Sequence, residues 1–206
     1  MPSTAHQIDD PVTPAQYYEM ERHALEKHDY YQGEVFDVYA MSGGTSNHSR
    51  IKTDLIIALG TKLRGKPCQP YDSDQRIRVT STGLRTYPDA SVFCADLDYD
   101  PEDNQRETAT NPAVIFEVLS PSTEGYDRGF KAEQYRQIPS LQAYVLIAQD
   151  RPHVEILTRS GADPSHWTLT EALGLDADIS IAPIEVRLPL AEIYGRVTFD
   201  GGPRLP

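Results

Sequence analysis

Ala113-Val114-Ile115-Phe116-Glu117-Val118-Leu119-Ser120-Pro121 is an apolar run interrupted by a single acid and closed by a strand breaker. A continuous apolar segment of this length reads as a central strand buried on both faces. Glu117 is the anomaly within it. An isolated carboxylate in such a place costs several kcal/mol or takes up a proton, so an ionised one requires partners.

Working outward, Ser120-Pro121-Ser122-Thr123 ends the strand, and a helix is predicted over Asp127–Gln137, stopped by Pro139. Two further strands are predicted at 144–148 and 153–157 around the turn sequence Asp150-Arg151-Pro152. Weaker strand signals lie at 167–170 and 184–188, with a short helix at 190–194. Upstream, Thr13-Pro14-Ala15-Gln16 carries a helix cap, a first-turn proline and a capping-box glutamine. This predicts a helix from Pro14 to about Leu25, followed by a hairpin over 30–39 turning at Gln32-Gly33. The recurrence of Ile51, Leu55, Ala58, Leu59 and Leu63 predicts a second helix from about Ser46, ended by Gly65 and Pro67. Short strands are predicted at 68–71, 75–79 and 89–94. In the middle one Arg76 and Arg78 alternate with Ile77 and Val79, which predicts that the arginines face water. Helices that precede and interrupt a run of strands imply a mixed α/β layer fold.

The 206 residues, 39% of them hydrophobic, suit one domain over 13–195 with tails at 1–12 and 196–206. The first residues lack the basic start and apolar core of a secretion signal, and no apolar run reaches membrane-spanning length. A soluble, cytoplasmic protein is therefore expected, with Cys68 and Cys94 as reduced, buried thiols. A net charge of −12 argues against non-specific coating of nucleic acid. The basic residues between Arg50 and Arg85 could still form a local positive face.

Asp89, in Tyr87-Pro88-Asp89-Ala90, opens a strand upstream of Glu117. Two carboxylates on neighbouring strands can hold a divalent ion such as Mg²⁺, with the Val118 carbonyl as a third ligand. Such an ion polarises a phosphate oxygen and helps generate hydroxide. Lys131, on the following helix, could stabilise developing negative charge or help deprotonate the attacking water. Its spacing from Asp127 also fits an ordinary i,i+4 ion pair on a solvated helix face. Glu34, on the second strand of the hairpin, could face the same cavity or simply be exposed.

Several stretches carry a resemblance: Tyr31-Gln32-Gly33-Glu34-Val35, Met41-Ser42-Gly43-Gly44-Thr45, Asn47-His48, Tyr87-Pro88-Asp89, Phe116 to Glu124, Asp127 to Lys131, Tyr135-Arg136 and Ser140 to Leu146. Together, over residues 13 to about 195, they resemble the Uma-two family, restriction-endonuclease-like proteins of the PD-(D/E)XK nuclease superfamily. The resemblance implies a central mixed sheet flanked by helices, and a metal-dependent endonuclease acting on DNA with Mg²⁺ or Mn²⁺. It implies Asp89 as the PD aspartate, Glu117 as the central acid and Glu34 as the acid from the N-terminal part. Where the superfamily expects lysine two residues after that acid, this chain has Leu119, and Lys131 from the next helix is implied in its place. His48 also matches a family position, as a site residue or as part of a helix cap.

The alternative is a non-catalytic member of the same fold, binding nucleic acid or acting as a homodimeric interaction module. The acidic run from Asp96 to Glu107 imitates a calcium loop, but Pro101 replaces the glycine of the sharp turn. A solvated acidic loop is the expectation there.

Overall fold

The computed structural model describes residues 10–37 and 45–199. Its centre is a six-stranded sheet in the order β11-β10-β9-β8-β6-β3, formed by β3 (Gln69–Asp72), β6 (Ala90–Phe93), β8 (Val114–Leu119), β9 (Ala143–Ala148), β10 (His153–Arg159) and β11 (Trp167–Leu173). Strands β8 and β9 run parallel and the other pairs antiparallel, so the sheet is mixed. Every residue of β8 and β9 is buried, which is why the run around Glu117 is continuously apolar rather than alternating.

Side-chain alternation divides the core between the two faces of this sheet. Val114, Phe116 and Val118 point to one side with Val145, Ile147, Val154 and Ile156. There they meet α2 (Ser46–Lys62) through Ile51, Leu55, Ala58 and Leu59, and the C-terminal hairpin of β12 (Asp178–Ile181) and β13 (Val186–Pro189) with α5 (Leu190–Tyr194). Ile115, Leu119, Tyr144 and Leu146 point to the other side. They pack on Tyr135 and Ala132 of the helical stretch formed by α3 (Glu124–Tyr126), a π-helical turn (Asp127–Lys131) and α4 (Ala132–Tyr135). Glu117 shares this second face by its spacing from Ile115 and Leu119.

A second sheet, ordered β2-β1-β5-β4-β7, closes over that face from β1 (His28–Tyr31), β2 (Glu34–Asp37), β4 (Arg76–Arg78), β5 (Arg85–Thr86) and β7 (Thr108–Ala109). Helix α1 (Pro14–His23) begins with the capping box read from Thr13 and Gln16. The β1–β2 hairpin turns at Gln32 and Gly33, both at positive φ. A Cβ on Gly33 would lie 2.7 Å from the Pro11 side chain, so glycine is required there by space as well as by backbone angle. The Gly43-Gly44 turn and the hairpin beyond Asp37 lie outside the described residues. No helix among the described residues is long and apolar enough to cross a membrane. Past residue 195 the chain continues along α2, where Arg196 pairs with Asp54 and Phe199 packs on Tyr194.

Five expectations change. Arg76 is buried rather than facing water: Asp103 pairs with it, and its guanidinium lies 4.9 Å from the centre of the Tyr18 ring. The acidic segment after Asp96 is not simply solvated, because Asp100 and Asp103 are buried and β7 follows directly after Glu107. Asp100 pairs with Arg78 and Arg85, so the anticipated basic face loses Arg76 and Arg85 to the interior and Arg78 to a half-buried ion pair. Cys68 and Cys94 form a disulfide. The antiparallel register that pairs Gln69 with Phe93 sets the two cysteines opposite each other at the ends of β3 and β6. Finally, the helix predicted from Asp127 begins at Glu124 and contains a π turn, a feature that side-chain periodicity does not encode.

Candidate active site

The register that pairs Ala90 with Phe116 sets Asp89 beside Glu117. The Asp89 N–H donates to Glu117 Oε2 at 3.2 Å, and the Val118 N–H donates to Asp89 Oδ2 at 2.8 Å. The two acids are thus fixed by backbone groups of each other's strands, a rigid support for a functional pair. Lys131 reaches the same point from the π turn. Its ammonium lies 3.0 Å from Glu117 Oε1 and 3.3 Å from Asp127 Oδ1. The Tyr135 hydroxyl donates to Glu117 Oε1 at 2.9 Å. Asp127 and Lys131 do form the i,i+4 pair, but both are buried and so do not make a solvated face.

Asp89 has two basic side chains on its other side. Lys52 Nζ lies 3.0 Å from Oδ1 and His48 Nε2 lies 3.3 Å from Oδ2, both projecting from α2. The His48 backbone N–H also donates to the Thr45 hydroxyl at the start of that helix. Thr45 is thus the cap, His48 supplies the capped N–H, and its ring reaches the site. Glu34 is exposed on the edge strand β2, and no side-chain contact among the described residues joins it to Asp89, Glu117 or Lys131. The N-terminal acid the structure does bring near is Asp29 on β1, fully buried, with the Tyr126 hydroxyl 3.5 Å from its Oδ2. Its signal was faint: one acid amid the aromatic strand residues of the hairpin, with nothing in the spacing to show which hairpin face turns inward. Lys52 was equally hidden on a helix rich in polar residues.

Electrostatics separates the two central acids. Burial alone would raise Asp89, but the hydrogen bond and charge of His48, the charge of Lys52 and the Val118 N–H hold its carboxyl well below the ordinary range. Burial, with Asp127 and Asp89 nearby, pushes Glu117 up to about 8 despite the opposing Lys131. Burial also raises Asp29, to about 6, against the charge of Lys131. Desolvation lowers Lys131, but Glu117, Tyr135, Asp127 and Asp29 outweigh it and keep the ammonium protonated. Asp29, Asp89, Glu117 and Asp127 thus converge on two lysines and a histidine. The raised Glu117 reflects chiefly its burial and then the neighbouring acids, and a cation beside it would favour its ionised form.

The family model Uma2, described as "Putative restriction endonuclease", matches residues 14–191. Two Synechocystis proteins, both named as uncharacterized, resemble the chain over most of its length. The protein slr1290 is 36% identical over 189 residues, covering 91% of this chain and 94% of its own. The protein sll1609 is 33% identical over 175 residues, covering 85% and 95%. A crystal structure described as "a putative nuclease belonging to DUF820", from Anabaena variabilis, superposes with a TM-score of 0.69 at 15% identity, over 90% of this chain and 98% of that one. That likeness establishes the shared restriction-endonuclease-like fold. The chain, matched over most of its length by model and relatives alike, belongs to the Uma2 family.

Proposed function

We propose that the protein is a metal-dependent endonuclease hydrolysing phosphodiester bonds in DNA, with Asp89, Glu117 and the Val118 carbonyl as the ligands of Mg²⁺ or Mn²⁺. The observation that carries the reading is the reach of Lys131 to Glu117 Oε1 from the helical stretch after β8, with Asp89 hydrogen-bonded to the same strand. The donor set fits a hard divalent ion: two carboxylates and a carbonyl, all hard oxygen donors. When bound, such an ion supplies Lewis acidity toward a phosphate oxygen and lowers the pKa of a coordinated water.

The chain's own residues do the rest. Lys131 and Tyr135 both donate to Glu117 Oε1, which orients the carboxylate and leaves Oε2 beside the Asp89 backbone. Lys131, kept protonated by its acidic neighbours, is suited to stabilising negative charge on a phosphoryl oxygen. That same protonation weighs against Lys131 as the base that takes a proton from water. His48 and Lys52 hold Asp89 ionised and therefore ready to ligate. Asp29 replaces Glu34 in this reading as the acid contributed by the N-terminal hairpin.

The test is Mg²⁺-dependent nicking of plasmid DNA by wild type and by Asp89→Ala, Glu117→Ala and Lys131→Ala. Nicking by wild type and a loss of about 10²-fold or more in each variant support the assignment, in line with the usual size of acid–base and electrostatic contributions. Equal activity in all four would identify a contaminant and remove it. One observation favours a second reading, a non-catalytic nucleic-acid-binding or homodimeric module: both Asp89 oxygens already have basic side chains as partners within the chain, Lys52 and His48. A wild type that binds DNA without nicking it, or that sizes as a dimer without binding, would select that reading.

A further inference from the structure

A second cluster of ligating side chains lies on the same sheet face, two strands from Glu117. Glu171 on β11 is opposite Glu155 on β10, Glu155 is opposite Leu146 on β9, and Leu146 is opposite Glu117 on β8. At about 4.8 Å per strand this places Glu155 roughly 10 Å from Glu117. His153 stands two residues before Glu155 and so shares its face. One ligand atom from each of His153, Glu155 and Glu171 lies within 4.8 Å of the others.

Two independent features make this more than a group of acids. Glu155 and Glu171 are directly cross-strand, a like-charge pairing that destabilises an antiparallel ladder. The other is His153, 8% exposed, whose Nε2 is shielded from solvent and makes no hydrogen bond. That nitrogen points between the two acids, 3.4 Å from Glu171 Oε1 and 3.9 Å from Glu155 Oε1. A buried ring nitrogen set beside two carboxylates without a hydrogen bond is an incomplete arrangement that a bound ion would satisfy. Glu155 keeps its other oxygen, Oε2, on Arg128 of the π turn, so engaging a cation through Oε1 does not break that contact.

We propose that His153, Glu155 and Glu171 form a divalent-metal site separate from the Asp89–Glu117 centre and selective for a transition-type ion such as Zn²⁺. Imidazole with two carboxylates suits Zn²⁺, whereas Mg²⁺ prefers an all-oxygen shell with several waters. The bound ion bridges the opposed glutamates, occupies the orphaned Nε2 and, through Glu155 and Arg128, ties edge strand β11 to the turn that carries Lys131.

The probe is Zn²⁺ alone, titrated by equilibrium dialysis in excess Mg²⁺ against wild type, His153→Ala, Glu171→Gln and Glu117→Gln. The expected result is one Zn²⁺ per chain in wild type and Glu117→Gln. Affinity should fall by about 100-fold or more in His153→Ala and Glu171→Gln, since loss of even an outer-shell partner costs 10–100-fold. Glu171→Gln serves as its own folding control: without metal it removes a like-charge repulsion, so it should melt no lower than wild type while losing Zn²⁺. Wild-type affinity in Glu171→Gln, or no Zn²⁺ uptake by wild type, overturns the proposal. Loss of uptake in Glu117→Gln would also overturn it, by assigning the ion to the other centre.

Discussion

Lys131 and Glu117 are 14 residues apart in sequence and 3.0 Å apart in space, both buried. The pairing depends on a parallel strand connection that folds the π turn back over its own strand. Removing one partner of a buried ion pair generally costs 3–5 kcal/mol. Here Lys131→Met should cost less at pH 7, because Glu117, already pushed up to about 8, can become neutral by taking a proton. The variant should therefore unfold in urea within about 2 kcal/mol of wild type, yet lose nicking about 10²-fold or more. Wild-type nicking by this variant would remove Lys131 from the proposed chemistry.

The raised Glu117 carboxyl also sets how metal affinity depends on pH. A cation at Asp89 and Glu117 favours the ionised form, so below about pH 8 binding must displace a proton. Affinity for Mg²⁺ should rise with pH and level off above 8. Calorimetry in buffers of different ionisation enthalpy should register the released proton at pH 7. Pure heat of binding, independent of buffer, would contradict a ligand role for Glu117.

Asp29 carries the same sign into stability. Its folded-state carboxyl lies at about 6 against an ordinary 3.8, so the folded protein holds the proton more tightly than the unfolded chain. The protonated acid contributes fully at low pH, and that contribution is lost as pH rises through about 6. Asp29→Asn should consequently be more stable than wild type at pH 8, by on the order of 3 kcal/mol. Near pH 3 the two should be equal. Denaturant midpoints measured at both pH values decide it, and a variant less stable at pH 8 would mean that the ionised form is held favourably.

Arg85, 1% exposed, donates to the Tyr18 hydroxyl and pairs with Asp100 at 3.0 Å and with Glu102 at 2.7 Å. Arg85→Met leaves Asp100 buried with Arg78 as its remaining cation. A loss of about 3–5 kcal/mol is expected in urea unfolding, and a loss under 1 kcal/mol would show that Arg78 suffices.

The Cys68–Cys94 disulfide closes a segment with a sequence separation of 26. Chain-entropy reasoning assigns such a closure about 3 kcal/mol. The double variant Cys68→Ser, Cys94→Ser should be less stable by that amount. Its nicking should match wild type, because Asp89 lies at the opposite end of β6 from Cys94. Unchanged stability would place the bridge's effect in the unfolded state's residual structure instead.

Local features were legible where neighbours in sequence supply the physics. The capping box at Thr13 and Gln16, the Gln32-Gly33 turn and the wholly buried β8 all rest on contacts or periodicities within a few residues. Asp89 and Glu117 stood out for a similar reason, each being an acid set against the pattern of its own strand. Lys131 needed more, because its own spacing equally described a surface pair with Asp127.

The sequence by itself determined the strand that anchors the sheet, the helix starts and the presence of an acid that must find partners. Tertiary structure decided which charges those partners are. Arg76 finds Asp103 from 27 residues away, Arg85 finds Asp100 from 15, and Cys68 finds Cys94 only through the β3–β6 register. It also decided that Asp29, not Glu34, is buried: the register sets both on one face of the hairpin, but Asp29 lies on β1, covered between β2 and β5, whereas Glu34 sits beside the turn on the edge strand. Burial makes an unpaired charge costly, and which charges share a buried space is a property of the assembled layers rather than of any one segment.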